Sequence, residues 1–157
     1  MSRYDDATAR DALMRHVALH SLLELRIVSV EKGRAVVEMP VRGNALNGSG
    51  NLHGGAIATL LDVATGMSAG SATGIDRDQQ TLVTADIHVR YLGRPKTATV
   101  RGEGSVVRMG RQLVVVDGRV VDGDDNVIAT ADASFMVVEL RRPLEVADNV
   151  DPRALDL

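Results

Sequence analysis

The stretch Ala56-Ile-Ala-Thr-Leu-Leu-Asp62-Val-Ala-Thr-Gly-Met-Ser-Ala-Gly-Ser71 decides the fold. It is apolar or small all round, so as a helix it must be buried on nearly every face. Asp62 is the only charged residue between Arg42 and Asp76. Carboxylates are almost never fully buried unless they are paired or put to use. The helix is fed by Asn47-Gly-Ser-Gly-Asn-Leu-His53-Gly54-Gly55, whose glycine pair can present bare backbone N–H groups. A lone acid just after such a pair points to a catalytic carboxylate with an oxyanion site. The competing interpretation gives Asp62 an arginine partner from another segment and a packing role only.

Outward from this core, residues 5–20 place Ala9, Leu13 and Val17, with Met14 and Ala18 one step off, on one face of an amphipathic surface helix. Acids lead that helix and His16 and His20 close it, as the helix dipole prefers. Leu23–Val30 and Arg34–Val41 are β-rich runs about a tight turn at Glu31-Lys32-Gly33. Beyond the long helix, residues 72–80 are a polar connection and the chain becomes nearly all strand. Thr81–Tyr91 is stopped by Gly93-Arg94-Pro95, and Thr97–Arg108 and Gln112–Val121 form a hairpin about Met109-Gly110-Arg111. In Val127–Val138, Val127, Ala129, Ala131, Ala133, Phe135 and Val137 alternate with Thr130, Asp132 and Ser134, a half-buried pattern. Residues 1–140 read as one domain, and the charged, aperiodic tail 141–157 as frayed or docked on a partner.

The order is thus helix, two strands, one long buried helix, four strands. An antiparallel sheet curled around that helix covers it on all sides. The expectation is an α+β protein of hotdog fold, a curved antiparallel sheet wrapped around one long buried helix.

At 157 residues with 45% hydrophobic and 25% charged content, the chain is long enough to build a real core. A formal net charge of −3 argues against nucleic-acid binding. The absence of cysteine excludes disulfides, thiolate metal sites and a cysteine nucleophile. The charged N-terminus has no signal-peptide apolar region, and no apolar run is long enough to span a membrane, so a cytoplasmic location is expected. Tyr4, Tyr91 and Phe135 are the whole aromatic set, too few for stacking platforms.

Asn47, His53-Gly54-Gly55, Asp62 and the strand Thr84-Ala-Asp-Ile-His-Val-Arg-Tyr91 closely resemble the phenylacetic-acid-degradation type of hotdog acyl-CoA thioesterases, over about residues 10–140. The resemblance implies that the Gly54 N–H receives the thioester carbonyl and that Asp62 is general base or nucleophile. It further implies that Asn47 holds the substrate carbonyl or water, that His53 shapes the loop and that Thr84 orients the attacking water. Gly54 and Asp62 lie eight residues apart on one helix, about 12 Å along its axis. A base must come within about 3 Å of what it activates, so both can act on one thioester only from different subunits. A homodimer with shared sites is therefore expected, and the family often pairs its dimers into tetramers.

An acidic chain that binds coenzyme A needs local cations for the phosphates. Arg90, Arg94 and Lys96 near one strand end, and Arg108 and Arg111 flanking Gly110, are the candidates, and Gly55 and Gly110 are expected to bind substrate with them. Leu60, Leu61, Met67 and the inward residues of 81–91 would line an aliphatic site for a medium-chain or small aromatic acyl group. No metal or cofactor is called for by this chemistry.

Other signals carry less. Gly48-Ser-Gly50 invites a dinucleotide-binding interpretation, but position 53 is His53 and no βαβ unit follows. His16 and His20 stand four apart without an intervening Glu or third ligand, so capping is expected rather than zinc. His88 reads as an ordinary strand residue, and no Gly-x-Ser-x-Gly elbow exists. Two alternatives remain: a non-catalytic acyl-CoA-binding hotdog module and a hotdog enoyl-CoA hydratase or dehydratase.

Overall fold

A computed structural model describes Ala12 and residues 14–76 and 79–140. The chain runs through α1 (Ala18–Leu22), β1 (Arg26–Glu31), β2 (Arg34–Pro40), a 3-10 turn (Gly43–Ala45), α2 (Gly54–Thr73), β3 (Gln80–Tyr91), β4 (Thr99–Met109), β5 (Leu113–Asp122) and β6 (Val127–Glu139). The strands form one antiparallel sheet in the order β1-β2-β4-β5-β6-β3, with α2 packed on its inner face. The α+β architecture anticipated from the sequence is the one observed.

Helix α2 starts where the extended backbone of His53 (φ −69, ψ 133) gives way to the glycine pair. It stops at Gly74, whose φ of 58 is the left-handed conformation in which helices commonly end. Its polar core residues satisfy themselves: Thr65 Oγ1 donates to the Leu61 carbonyl at 2.7 Å and Ser68 Oγ to that of Ala64 at 2.8 Å. The sheet comes unusually close to this helix because β4 and β5 carry glycine at the crossing. A Cβ on Gly104 would sit 2.7 Å from the Ala64 carbonyl oxygen and collide with Ser68 Oγ, and one on Gly118 would meet Thr65 Cγ2 at 2.8 Å. Val37, Met39, Leu60, Leu61, Val100 and Val120 fill the space between, each 0% exposed. Burying such side chains contributes about 1.5–3 kcal/mol apiece.

The structure corrects several expectations. The sheet does not close around α2, because β1 and β3 remain open edges. A stripe of Ala58, Thr59, Asp62, Gly66, Met67 and Gly70 is therefore half-buried rather than covered. Leu60 and Leu61 face the sheet inside the core and cannot line an open acyl site. The helix expected over 5–20 falls largely outside the described residues; where described, it breaks at His16–Val17 before α1. β1 begins at Arg26 rather than Leu23, since Glu24 takes a positive φ of 53. In β6, Val127 is 42% exposed and Ile128 is the buried neighbour, beside a register shift in the pairing with β5.

Candidate active site

Asp62 sits in the middle of α2, and its Oδ1 accepts the Thr84 hydroxyl at 2.9 Å. Among the described residues no arginine pairs with it. The packing-only interpretation therefore lacks the partner it required. Thr84 faces α2 and Asp62 lies on the half-buried stripe, so the pair can be reached from outside the chain.

The other end of the site is the head of α2. The first N–H groups of a helix have no intrahelical partner and carry the positive end of its dipole. The Gly55 N–H is taken by His53 Nδ1 at 2.8 Å, and the Ile57 N–H by the His53 carbonyl at 3.1 Å. Among the described residues no acceptor takes the Gly54 N–H. Gly55, expected beside the substrate, thus has its donor engaged by His53, and Gly54 is the free one. Tyr91 donates its hydroxyl to the Gly54 carbonyl at 3.1 Å, and its ring lies 3.5 Å from where a Gly54 Cβ would be. That is ordinary contact, so the room for glycine here is not required by the chain's own packing.

Asn47 builds the loop ahead of the helix. Its Oδ1 accepts the Ser49 and Asn51 N–H groups at 3.0 and 3.1 Å, which leaves its Nδ2 as the group able to reach a substrate oxygen. His53 caps the helix as well as shaping the loop.

Thr84 and Tyr91 both face α2 although seven residues separate them, which strict strand alternation forbids. A register shift between Thr84 and Asp86 in the pairing with β6 restores the match. The same parity sends Arg90 to the outer face, where it holds Asp132 at 3.0 Å with His88 4.0 Å from the same carboxylate. Arg90 is therefore a poor phosphate ligand. Arg94 and Lys96 are exposed beyond the Tyr91 end of β3, and Arg108 and Arg111 are exposed at the far end of β4, with the Gly110 N–H closing that turn on the Leu113 carbonyl at 2.7 Å. The eleven residues of β4 put the two cation groups on the order of 30 Å apart in one chain.

The loop bearing Lys96 is anchored by Asp122, a 0% exposed carboxylate. It accepts the Lys96 backbone N–H at 3.0 Å and, on its other oxygen, the N–H groups of Asp124 and Asn126 at 3.0 Å each. These bonds, the one from Lys96 foremost, hold its carboxyl below the ordinary aspartate range.

His20 is the residue that sequence reasoning misplaced. Its Nδ1 is buried without a hydrogen-bond partner. Burial pushes the imidazole below the usual histidine range, while the negative charge of Asp62 pulls the other way. His20 thus lies within electrostatic reach of the site rather than serving only as a helix cap. No local pattern in the sequence signals this, because it depends on where the fold brings His20 relative to Asp62.

Comparison with known proteins bears on the family and the fold. The family model described as the thioesterase superfamily matches residues 49–129. A protein of Halobacterium salinarum, provisionally named an esterase, is 33% identical over 148 residues, 90% of this chain and 94% of its own. The 1,4-dihydroxy-2-naphthoyl-CoA hydrolase of Listeria monocytogenes is 25% identical over 126 residues, covering 80% of this chain and all 100% of that enzyme. In the solved structure of the Escherichia coli PaaI protein, from the phenylacetic acid degradation operon, the same fold recurs with a TM-score of 0.72. That match covers 90% of this chain and 99% of PaaI at 23% identity.

Proposed function

The chain belongs to the thioesterase superfamily and is a thioester hydrolase, and from that premise we propose that its substrate is an acyl-CoA carrying a small aromatic or medium-chain acyl group, cleaved to free acid and CoA. The observation that carries the proposal is the Asp62–Thr84 hydrogen bond at 2.9 Å, on the helix whose head offers the free Gly54 N–H. The name of the Listeria relative, a naphthoyl-CoA hydrolase, supports the aromatic option.

In this mechanism the Gly54 N–H takes the charge that develops on the thioester oxygen. Asp62, held by Thr84, either removes a proton from the attacking water or attacks the carbonyl carbon itself to give a mixed anhydride. On the first route the tetrahedral intermediate collapses, the C–S electron pair leaves on the CoA sulfur and that sulfur takes the proton from Asp62. On the second the C–S pair leaves as the anhydride forms, and water then hydrolyses the anhydride to free acid and the Asp62 carboxylate.

One chain cannot do this alone. Thr84 marks the Asp62 end of the site and Tyr91 the Gly54 end, about 12 Å apart along α2. A homodimer that brings the Gly54 end of one protomer to the Asp62 end of its partner resolves the distance. Two surfaces support such pairing: the open edge of β3 and the half-buried stripe of α2 around Asp62. The same pairing would also bring Arg94 and Lys96 of one protomer towards the partner end that carries Arg108 and Arg111. The first test is thiol release from a panel of short, long and arylacetyl or aroyl CoA thioesters. Turnover concentrated on aromatic or medium-chain members supports the substrate class; turnover only of acetyl-CoA or of very long chains contradicts it.

A further inference from the structure

The peptide unit joining Gly54 to Gly55 is gripped from both sides. Its carbonyl oxygen accepts the Tyr91 hydroxyl at 3.1 Å, and its N–H donates to His53 Nδ1 at 2.8 Å. Two consecutive glycines at the first turn of a helix are the most pliable start a helix can have, because glycine has more conformational freedom to lose than any other residue. Helix ends also fray. An oxyanion donor stabilises charge only if its direction is fixed before the reaction. The neighbouring donor, the Gly54 N–H, pivots on the same Cα as the gripped peptide, so holding that peptide holds the donor's direction.

The two grips come from different places. His53 is the helix cap itself and travels with the loop. Tyr91 belongs to β3, paired there with Ala129 of β6, and refers the helix head to the sheet. Its ring also packs against the Gly54 Cα, 3.5 Å from the position of an absent Cβ, yet the residue stays 55% exposed. Within its own chain the ring is held by little core packing, and its hydroxyl contact to Gly54 is its specific bond.

We propose that Tyr91 is a positioning residue for the oxyanion donor, acting with His53 to clamp the Gly54–Gly55 peptide and so aim the Gly54 N–H. This rests on the thioesterase mechanism proposed above. Tyr91 touches the helix rather than the reacting atoms, so its effect must pass through Gly54.

The test is a double-mutant cycle on the full-length protein, with Tyr91→Phe, Gly54→Pro and the pair. Tyr91→Phe keeps the ring and removes one neutral hydrogen bond, so kcat should fall about 3- to 10-fold, with KM within about two-fold and the thermal midpoint within about 4 °C of wild type. In the Gly54→Pro background, where no N–H remains to be aimed, Tyr91→Phe should change kcat no further. An equal loss in both backgrounds, an effect confined to KM, or no loss at all overturns the proposal. An activity-free readout separates this from failure of the thioesterase mechanism. Exchange of the Gly55 amide proton, followed by NMR, should speed up several-fold in Tyr91→Phe, and unchanged exchange overturns the clamp even if no thioester is ever turned over.

Discussion

Replacing Gly54 by proline deletes the free N–H at the helix head and sets the ring Cδ on that nitrogen in its place. Proline is favoured at the first position of a helix, where its missing N–H would have no intrahelical partner. The residue before it must be extended, and His53 already has φ −69 and ψ 133. A Cβ at position 54 meets the Tyr91 ring at 3.5 Å, an ordinary contact. The neighbouring donors cannot substitute, since Gly55 is bonded to His53 and Ala56 is only 5% exposed. Loss of one oxyanion donor costs about 10²–10³ in kcat, or about 3–4 kcal/mol of transition-state stabilisation. Thiol release by the purified variant should fall by that factor while its thermal midpoint stays within a few degrees of wild type. Mixed with an Asp62→Asn chain and allowed to reassort, half the dimers would be hetero-dimers with one intact site of two, so about a quarter of wild-type activity should return. If Gly54→Pro keeps more than about a third of wild-type kcat, or if mixing restores nothing, the oxyanion assignment or the shared site is wrong.

Three further outcomes follow from named contacts. Thr84→Val keeps shape but removes the donor to Asp62, an exposed charge-assisted bond worth about 1.5 kcal/mol, so kcat should drop roughly ten-fold without loss of fold; an unchanged kcat would remove Thr84 from the mechanism. Gly104→Ala forces a methyl group against the Ala64 carbonyl and Ser68, and should destabilise by about 1–3 kcal/mol in chemical denaturation; a neutral effect would show that α2 is not seated as described. His20 titrates below the ordinary histidine pKa of about 6.5, so its contribution to stability is intact above that pH and is lost as pH falls towards its folded value. Because the Asp62 charge opposes the downward shift, Asp62→Asn should lower the His20 pKa further in an NMR titration. A rise would refute the coupling.

The architecture was legible because its signals are local. Apolar runs of strand length, turn glycines and one apolar helix between them dictate element order. The apolarity of residues 56–71, broken by charge only at Asp62, calls for the sheet that covers one side of that helix. Asp62 was legible as a lone acid in an apolar helix and Thr84 through the family resemblance, which gave it the attacking water to orient; its direct bond to Asp62 depends on how β3 meets α2. The misplaced features all depend on how segments meet. The parity of β3 turns on one register shift beside Thr84, which sends Arg90 out to Asp132 and brings Tyr91 to the helix head. The half-open stripe along α2 depends on how far the sheet curls, and an isolated helix pattern cannot report that. The His20 pattern on its own helix points to a cap, whereas its environment is set first by burial and then by the charge of Asp62, more than forty residues away.

The decisive measurement is thiol release by Asp62→Asn beside wild type, on whichever acyl-CoA the wild type turns over best. Asn keeps the size and shape of the carboxylate and can still accept the Thr84 hydroxyl, but it can neither remove a proton nor form an anhydride. A loss of about 10²-fold or more in kcat with an intact fold is expected for a missing base or nucleophile. A variant that hydrolyses the thioester at near wild-type rate would show that Asp62 is a structural carboxylate and that the chemistry resides elsewhere.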